Sequence, residues 1–151
     1  MGLVIALNKG RIFKECLPLL AACEIQPSED PDKSRKLIFD SVSGGHKLIV
    51  TRSADVPTYV ENGVADIGIT GKDTILEYGD SMSFYERLDL KIGQCKMMTA
   101  GPVGVPEPEH VLRVASKFVN ITRKYYQAQS RQVALIKLSG AMEIAPLLGR
   151  A

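Results

Sequence analysis

Hydrophobic and polar positions change period several times along this chain, and each change marks an element. In Val60–Asp73 (VENGVADIGITGKD) a helical period stops at Gly63, a residue suited to the positive φ that many helix ends need. Ala65–Thr70 then alternates, Ile67 and Ile69 against Asp66, Gly68 and Thr70, which predicts a strand. Gly71 turns the chain, and Lys72-Asp73 leads into a helix over Thr74–Tyr78. In open α/β sheets, ligands bind beyond the carboxyl ends of strands. Free N–H groups at a helix start favour anions there. Gly68 and Gly71 would let a ligand approach the backbone closely.

The same reading extends to the rest of the chain. Leu3–Leu7 (LVIAL) predicts a strand buried on both faces. Asn8-Lys9-Gly10-Arg11 is a turn, and Ile12–Ala22 has helical spacing, with Pro18 predicting a kink or a late start. Pro27–Ser34 is a polar loop. Lys36–Asp40 and Lys47–Thr51 read as strands joined through Gly44-Gly45. Ser53 or Asp55 is expected to cap a helix over Val56–Asn62, with Pro57 in its first turn. Lys91–Ala100 reads as a long strand broken at Gly93. Alternation restarts after the Gly101-Pro102 and Pro106-Glu107-Pro108 breaks. Strand Leu112–Ser116, helix Ile121–Gln129 capped by Asn120, strand Val133–Leu138 and helix Ala141–Leu148 follow. Strands alternating with helices on both sides of a break predict two α/β lobes, residues 1–90 and 91–151, with a cleft between them.

Composition narrows the chemistry. The 45% hydrophobic content supports a packed core, and the net charge of +2 with no Lys/Arg run gives no nucleic-acid or membrane footprint. Cys16, Cys23 and Cys95 cannot all pair within one chain, and a reducing cytoplasm fits them. No secretion signal or bilayer-length apolar run is read. His46 and His110 are isolated, so no metal site is read. G-x-S-x-G, Walker and dinucleotide-binding motifs are absent. What remains is a set of basic residues on turns: Lys9, Arg11, Arg35, Arg52 and Lys72. Lys9 and Arg11 stand at a helix start, where the macrodipole disfavours cations unless an anion is present. Guanidinium forks and ammonium groups together suit a polyphosphate ligand.

The motifs in order are ALNKGRI (Ala6–Ile12), RKLIF (Arg35–Phe39), TRSADVPTYVENGVADIGITGKD (Thr51–Asp73), RVASKFVNITRKYY (Arg113–Tyr126) and IKLSGAMEIAPLLG (Ile136–Gly149). Together they resemble ATP phosphoribosyltransferase, in its short form, over nearly the whole chain. Asn8 stands where that family usually has Pro. The resemblance implies a two-lobed fold like type II periplasmic binding proteins. It implies transfer of a phosphoribosyl group from phosphoribosyl pyrophosphate to ATP, with pyrophosphate released and Mg2+ assisting. It implies Arg52 and Arg35 as catalytic stabilisers of the leaving pyrophosphate, and Lys9, Gly10 and Arg11 as nucleotide-phosphate contacts. Thr70, Gly71, Lys72 and Asp73 are implied as a ligand-binding loop with Asp73 as helix cap, and Glu143 as a contact to ribose or adenine. A homodimer is implied, as is a hetero-oligomer with a regulatory subunit resembling histidyl-tRNA synthetase.

The resemblance also carries an expectation about the end of the chain. The family continues into an acidic strand and a Gly-Arg-Thr turn that cradles the donor's 5-phosphate, and no counterpart follows Gly149. The second lobe is therefore expected to be incomplete, and the 151-residue polypeptide to bind nucleotide weakly without turnover. The competing readings are a non-catalytic ligand-binding domain of the periplasmic-binding-protein type and an interaction subunit whose partner carries the chemistry.

Overall fold

The computed structural model describes residues 2–79, 82–108 and 110–146. It divides into two compact units, Met1–Cys95 and Lys96–Ala151. The first unit holds β1 (Val4–Asn8), α1 (Arg11–Ala22), β2 (Ile38–Asp40), β3 (Lys47–Thr51), α2 (Val56–Glu61), β4 (Ile67–Ile69) and α3 (Lys72–Tyr78). The second holds β5 (Leu112–Ser116), α4 (Val119–Ala128), β6 (Val133–Lys137) and a 3-10 turn at Met142–Ile144.

The first sheet has the order β2-β3-β1-β4. β1 pairs in parallel with β3 and β4, while β2 joins β3 antiparallel through the Gly44-Gly45 turn. Alternate residues of β1 supply two cores. Ile5 and Leu7 meet Phe13, Cys16 and Leu20 of α1 together with Phe39, Leu48 and Val50. Ala6 faces the other way, with Val56 of α2 and Ala65, and Val4, Ile49, Tyr59 and Val60 pack around them. A central strand buried on both faces therefore reads as an unbroken apolar run, as LVIAL does. In the second unit β5 and β6 pair in parallel, and Tyr126 and Thr122 of α4 are buried.

Helix ends follow local rules. α1 closes with Ile25 N–H on Leu20 O at 2.9 Å and Glu24 N–H on Ala21 O at 3.0 Å, with Glu24 in the left-handed region (φ 62). Leu20 and Ile25, which bracket that cap, both join the core. α2 ends as expected at Gly63, whose φ is 69. Pro18 lies inside α1 rather than at its start.

Several expected features take another form. Lys91–Ala100 is not a strand: Gly93 is left-handed (φ 58), and no described strand pairs with the run. Alternation makes a strand only where a neighbour receives its N–H and C=O groups. Here Leu90 and Ile92 instead pack on the first core. Of the two expected caps, Asp55 holds the N-cap position of α2, but its side chain makes no capping hydrogen bond; residues Ser53–Asp55 form a 3-10 turn running into the helix. Asn120 lies inside α4, whose N-cap is Phe118, and accepts from Arg123 Nη1 at 3.1 Å. β4 is shorter than Ala65–Thr70, because Ala65 N–H is committed to Tyr59 O at 3.0 Å. β2 likewise starts at Ile38. The helix expected over Ala141–Leu148 is a 3-10 turn behind a left-handed Ala141 (φ 51), and its last positions lie outside the described residues.

Candidate active site

Because β1, β3 and β4 run parallel, their carboxyl ends finish along one sheet edge. That edge carries Lys9 and Gly10 after β1, Arg52 after β3, and Thr70, Gly71 and Lys72 after β4. The antiparallel β2 brings its start to the same edge. Val50 N–H donates to Leu37 O at 2.8 Å, and Arg35 lies two residues upstream. Lys9 is tied to β3 by its own N–H on Thr51 O at 3.4 Å. So Lys9, Gly10, Arg11, Arg35, Arg52, Thr70, Gly71, Lys72 and Asp73 lie along one edge of the first sheet. Glu143 belongs to the second unit, exposed in its 3-10 turn.

The cations on this edge fall into two kinds. Lys9 Nζ donates to Pro31 O at 3.3 Å and lies 4.0 Å from Asp32, which Lys14 also meets at 3.5 Å. Arg11 Nη2 donates to Gly93 O at 3.2 Å, and its Nε lies 3.6 Å from Glu15. Glu15 in turn accepts from Gly93 N–H at 2.7 Å, so the start of α1 grips the chain at residue 93. Lys72 is paired with Glu86. Arg35 and Arg52, by contrast, are exposed and have no side-chain partner among the described residues. At the start of α1, Gly10 is the N-cap in a glycine-favoured conformation (φ 120). No side chain caps that start and no acidic residue lies in its first turn.

The turn after β4 differs from the sequence reading in two ways. Asp73 is not the helix cap: Gly71 holds that position, and α3 starts at Lys72. The Asp73 carboxylate sits within the first turn, accepting from Thr74 N–H at 2.8 Å. The two glycines have internal neighbours. A Cβ on Gly71 would fall against Asp73 Oδ1, and one on Gly68 would lie 2.8 Å from Val60 Cγ2 and 2.9 Å from Val56 Cγ1. The space a side chain would take is thus filled by α2 at Gly68 and by the Asp73 carboxylate at Gly71.

The HisG family model, described as ATP phosphoribosyltransferase, matches residues 52–151. The ATP phosphoribosyltransferase of Ectopseudomonas mendocina is 58% identical over 149 residues, spanning 99% of this chain and 70% of the relative. The chain belongs to the ATP phosphoribosyltransferase family. The enzyme of Pseudomonas aeruginosa is also 58% identical over the same shares of both chains. Among solved structures, the ATP phosphoribosyl transferase (HisG:HisZ) complex from Thermotoga maritima superposes with a TM-score of 0.72 at 28% identity. That match covers 97% of this chain and 69% of the other. ATP phosphoribosyltransferase carries out the first step of histidine biosynthesis, moving a phosphoribosyl group from phosphoribosyl pyrophosphate to ATP. The mixed α/β fold with two sheets agrees with that neighbour. No described helix is long and apolar enough to cross a membrane.

Asn8, read from the sequence as the start of the turn and as a departure from the family's usual Pro, was given no role at this edge. Asn8 ends β1, and its Oδ1 is buried with no hydrogen-bond partner among the described residues. The signal was available in the sequence as a carboxamide closing an otherwise apolar central strand.

Proposed function

We propose that the carboxyl edge of the first sheet holds the phosphates of ATP and the pyrophosphate of the donor. The observation that carries this reading is the contrast between Arg35 and Arg52, exposed and unpartnered among the described residues, and the paired cations beside them. In the reaction a ring nitrogen of ATP forms a bond to the anomeric carbon of the donor. The bond from that carbon to pyrophosphate breaks and its electron pair leaves with pyrophosphate. Charge grows on the leaving group while the ribosyl centre takes oxocarbenium character. Cations already in place where charge grows lower the barrier, since they need no rearrangement as the bond breaks. Arg52 and Arg35 are assigned that role, each with a fork that matches two phosphate oxygens.

Lys9, Gly10 and Arg11 are assigned to the nucleotide phosphates. The uncapped first turn of α1 supports this, because its N–H groups favour an anion. Thr70, Gly71, Lys72 and Asp73 form the neighbouring ligand loop, with Lys72 exchanging Glu86 for phosphate. Glu143 is assigned a contact to ribose or adenine. Among the described residues no group of three His, Cys, Asp or Glu side chains converges to hold a metal ion. Magnesium needs only one or two carboxylates when phosphate oxygens and water complete its shell. It therefore enters with the donor's pyrophosphate, as part of the substrate.

The architecture we assign is that of type II periplasmic binding proteins, with the unit Met1–Cys95, slightly longer than the expected 1–90, as a nucleotide-binding lobe and Lys96–Ala151 as the other. The partners we assign are a second copy of the chain and a regulatory subunit, on the precedent of the HisG:HisZ complex. The free thiols of Cys16, Cys23 and Cys95 suit a reducing compartment such as the cytoplasm.

Arg52→Ala tests the assignment. In a complete enzyme carrying this segment, the expected result is a loss of roughly a hundredfold in turnover, about 2.7–4 kcal/mol by analogy with a lost oxyanion donor. Pyrophosphate affinity should fall with it, and ATP affinity should change much less. A weakened ATP affinity with unchanged turnover and pyrophosphate binding would put Arg52 on the wrong substrate.

A further inference from the structure

We infer that Asn8 is a specificity-determining residue whose side-chain oxygen accepts a hydrogen bond from an uncharged donor of the bound nucleotide, a ribose hydroxyl or the adenine amine. The inference deepens the proposal above and rests on the sheet edge being the nucleotide site. Asn8 shares the face of β1 that carries Ala6, since successive strand residues alternate faces. It is in register with Thr51 of β3, and by continuation of the β1–β4 pairing with Thr70. Thr51, Asn8 and Thr70 thus form a polar row across the carboxyl end of the sheet, directly beyond the apolar Ile49, Ala6 and Gly68 row.

The hydrogen bonding of that row leaves one acceptor over. Thr70 Oγ1 donates to Ser53 O at 3.3 Å, and Asn8 Nδ2 donates to Lys9 O at 3.3 Å. The second bond orients the amide, placing Oδ1 as the atom without a donor. Buried polar groups are nearly all paired, and those that are not concentrate where a ligand or strain is involved. The missing partner must be a donor. Phosphate oxygens are acceptors only, so the phosphates assigned to Lys9 next door cannot serve. Hydroxyl and amino groups of the nucleotide can. Asn8 as a whole is half-buried and the terminal torsion of an Asn is broad, so rotation of the amide, at the cost of its long bond to Lys9 O, can turn the oxygen toward a ligand.

The test compares the chain with its Asn8→Leu variant, which keeps the approximate shape and removes the acceptor. Affinities are measured for ATP, 2′-deoxy-ATP, 3′-deoxy-ATP and purine riboside triphosphate, and Tm is measured without ligand. The unaltered chain should bind ATP about tenfold more tightly than the analogue lacking the donor. In Asn8→Leu that discrimination should fall to within about twofold, while Tm rises by about 2–8 °C because an unpaired buried acceptor is gone. Retained discrimination in the variant, or none in the unaltered chain, overturns the assignment. Lost discrimination with a lowered Tm also overturns it, since Asn8 would then act only by holding β1. If Asn8→Leu does not fold, Asn8→Ala carries the same comparison. Lys9→Ala separates the two levels of the argument. If it leaves ATP binding unchanged, the edge itself is misassigned. If it weakens ATP binding and Asn8→Leu still discriminates, only Asn8 is.

Discussion

Gly68→Ala sets two measurable effects against each other. Gly68 sits in β4 opposite Ala6, under helix α2. Its φ lies outside the left-handed region, so the backbone accepts alanine. By that criterion alone the change should stabilise the chain by about 0.4–1 kcal/mol, through a less flexible unfolded state. The new Cβ, however, would lie 2.8 Å from Val60 Cγ2 and 2.9 Å from Val56 Cγ1. Comfortable carbon contacts begin near 3.5 Å, so α2 must retreat by about 0.7 Å. Neither valine can swing aside easily, because β-branched side chains in a helix have one strongly preferred rotamer. Val56 is also 1% exposed and hemmed in by the core. Overpacking of this kind costs about 1–3 kcal/mol. The net expectation is a loss of about 0.5–2 kcal/mol. Urea unfolding, with first-unit amides in β1 and β3 followed by hydrogen exchange, measures it as a lower midpoint at constant slope. Adding Val60→Ala should recover part of the loss in a double-mutant cycle, since the crowded methyl is then gone. A neutral or stabilising Gly68→Ala would refute the reasoning, and would mean that α2 shifts freely over the sheet.

Tyr78→Phe should remove a pH-dependent contribution that links α3 to α2. Tyr78 donates to Glu61, which also accepts from Ser83 N–H at 3.1 Å. The bond from Tyr78, and then that from Ser83, holds the Glu61 carboxyl below its ordinary value, while the bond to Glu61 raises the Tyr78 phenol. The depressed carboxyl contributes above its unfolded value and loses that contribution as pH falls through the folded one. The raised phenol contributes below its unfolded value, about 10, and loses it as pH rises through the folded one. The stability difference between the chain and Tyr78→Phe should therefore be flat near neutrality and shrink at both extremes. A difference independent of pH would disprove the coupling. Thiol titration gives a separate check. Burial raises the Cys16 thiol, whereas Cys23 and Cys95 are exposed. A disulfide reagent at neutral pH should modify Cys23 and Cys95 quickly and Cys16 only as the first unit unfolds, and rapid labelling of Cys16 in the native chain would contradict the packing.

Much of the first unit is legible in the sequence because its strands are buried in ways that leave clear patterns. LVIAL reads as a central strand since both β1 faces meet apolar layers. Lys47–Thr51 has the same boundaries in sequence and structure, and Gly63 stops α2 as its φ requires. Caps were misread for a common reason. Ser53, Asn120 and Asp73 are all residue types that favour helix starts, and even Asp55, which holds the N-cap position of α2, makes no side-chain capping bond. Propensity says only that such a side chain can cap. Which residue does is decided by the preceding turn. Ser53–Asp55 is already a 3-10 turn, and Phe118 precedes α4 with its N–H on Ser116 Oγ at 3.0 Å. Lys91–Ala100 fails for a different reason, since alternation describes faces and says nothing of a ladder partner. In the structure the fixed point of that run is Gly93, held by Arg11 and Glu15 from seventy-eight or more residues away, a contact no local pattern announces.

At the candidate site, sequence reasoning located the basic residues but not the division among them. Turns after parallel strands must converge on one edge, so Lys9, Arg52 and Lys72 were predictable neighbours once the alternation of strands and helices was recognised. Pairing is set by the loops that cross that edge, and their residues carry no period. Asp32 reaches Lys9 from the 27–34 loop, and Glu86 reaches Lys72 from the segment after α3. These pairs are largely exposed, and exposed pairs are weak because water screens them and long side chains lose freedom in forming them. They therefore hold lysines near the edge without committing them against a phosphate, which offers more acceptor oxygens than a carboxylate. Arg35 and Arg52 lack even that weak restraint among the described residues. Both are exposed, so their guanidinium groups are open to an anionic ligand. Under the proposed function they are the edge guanidinium groups that meet the leaving pyrophosphate, whose charge rises as the bond breaks.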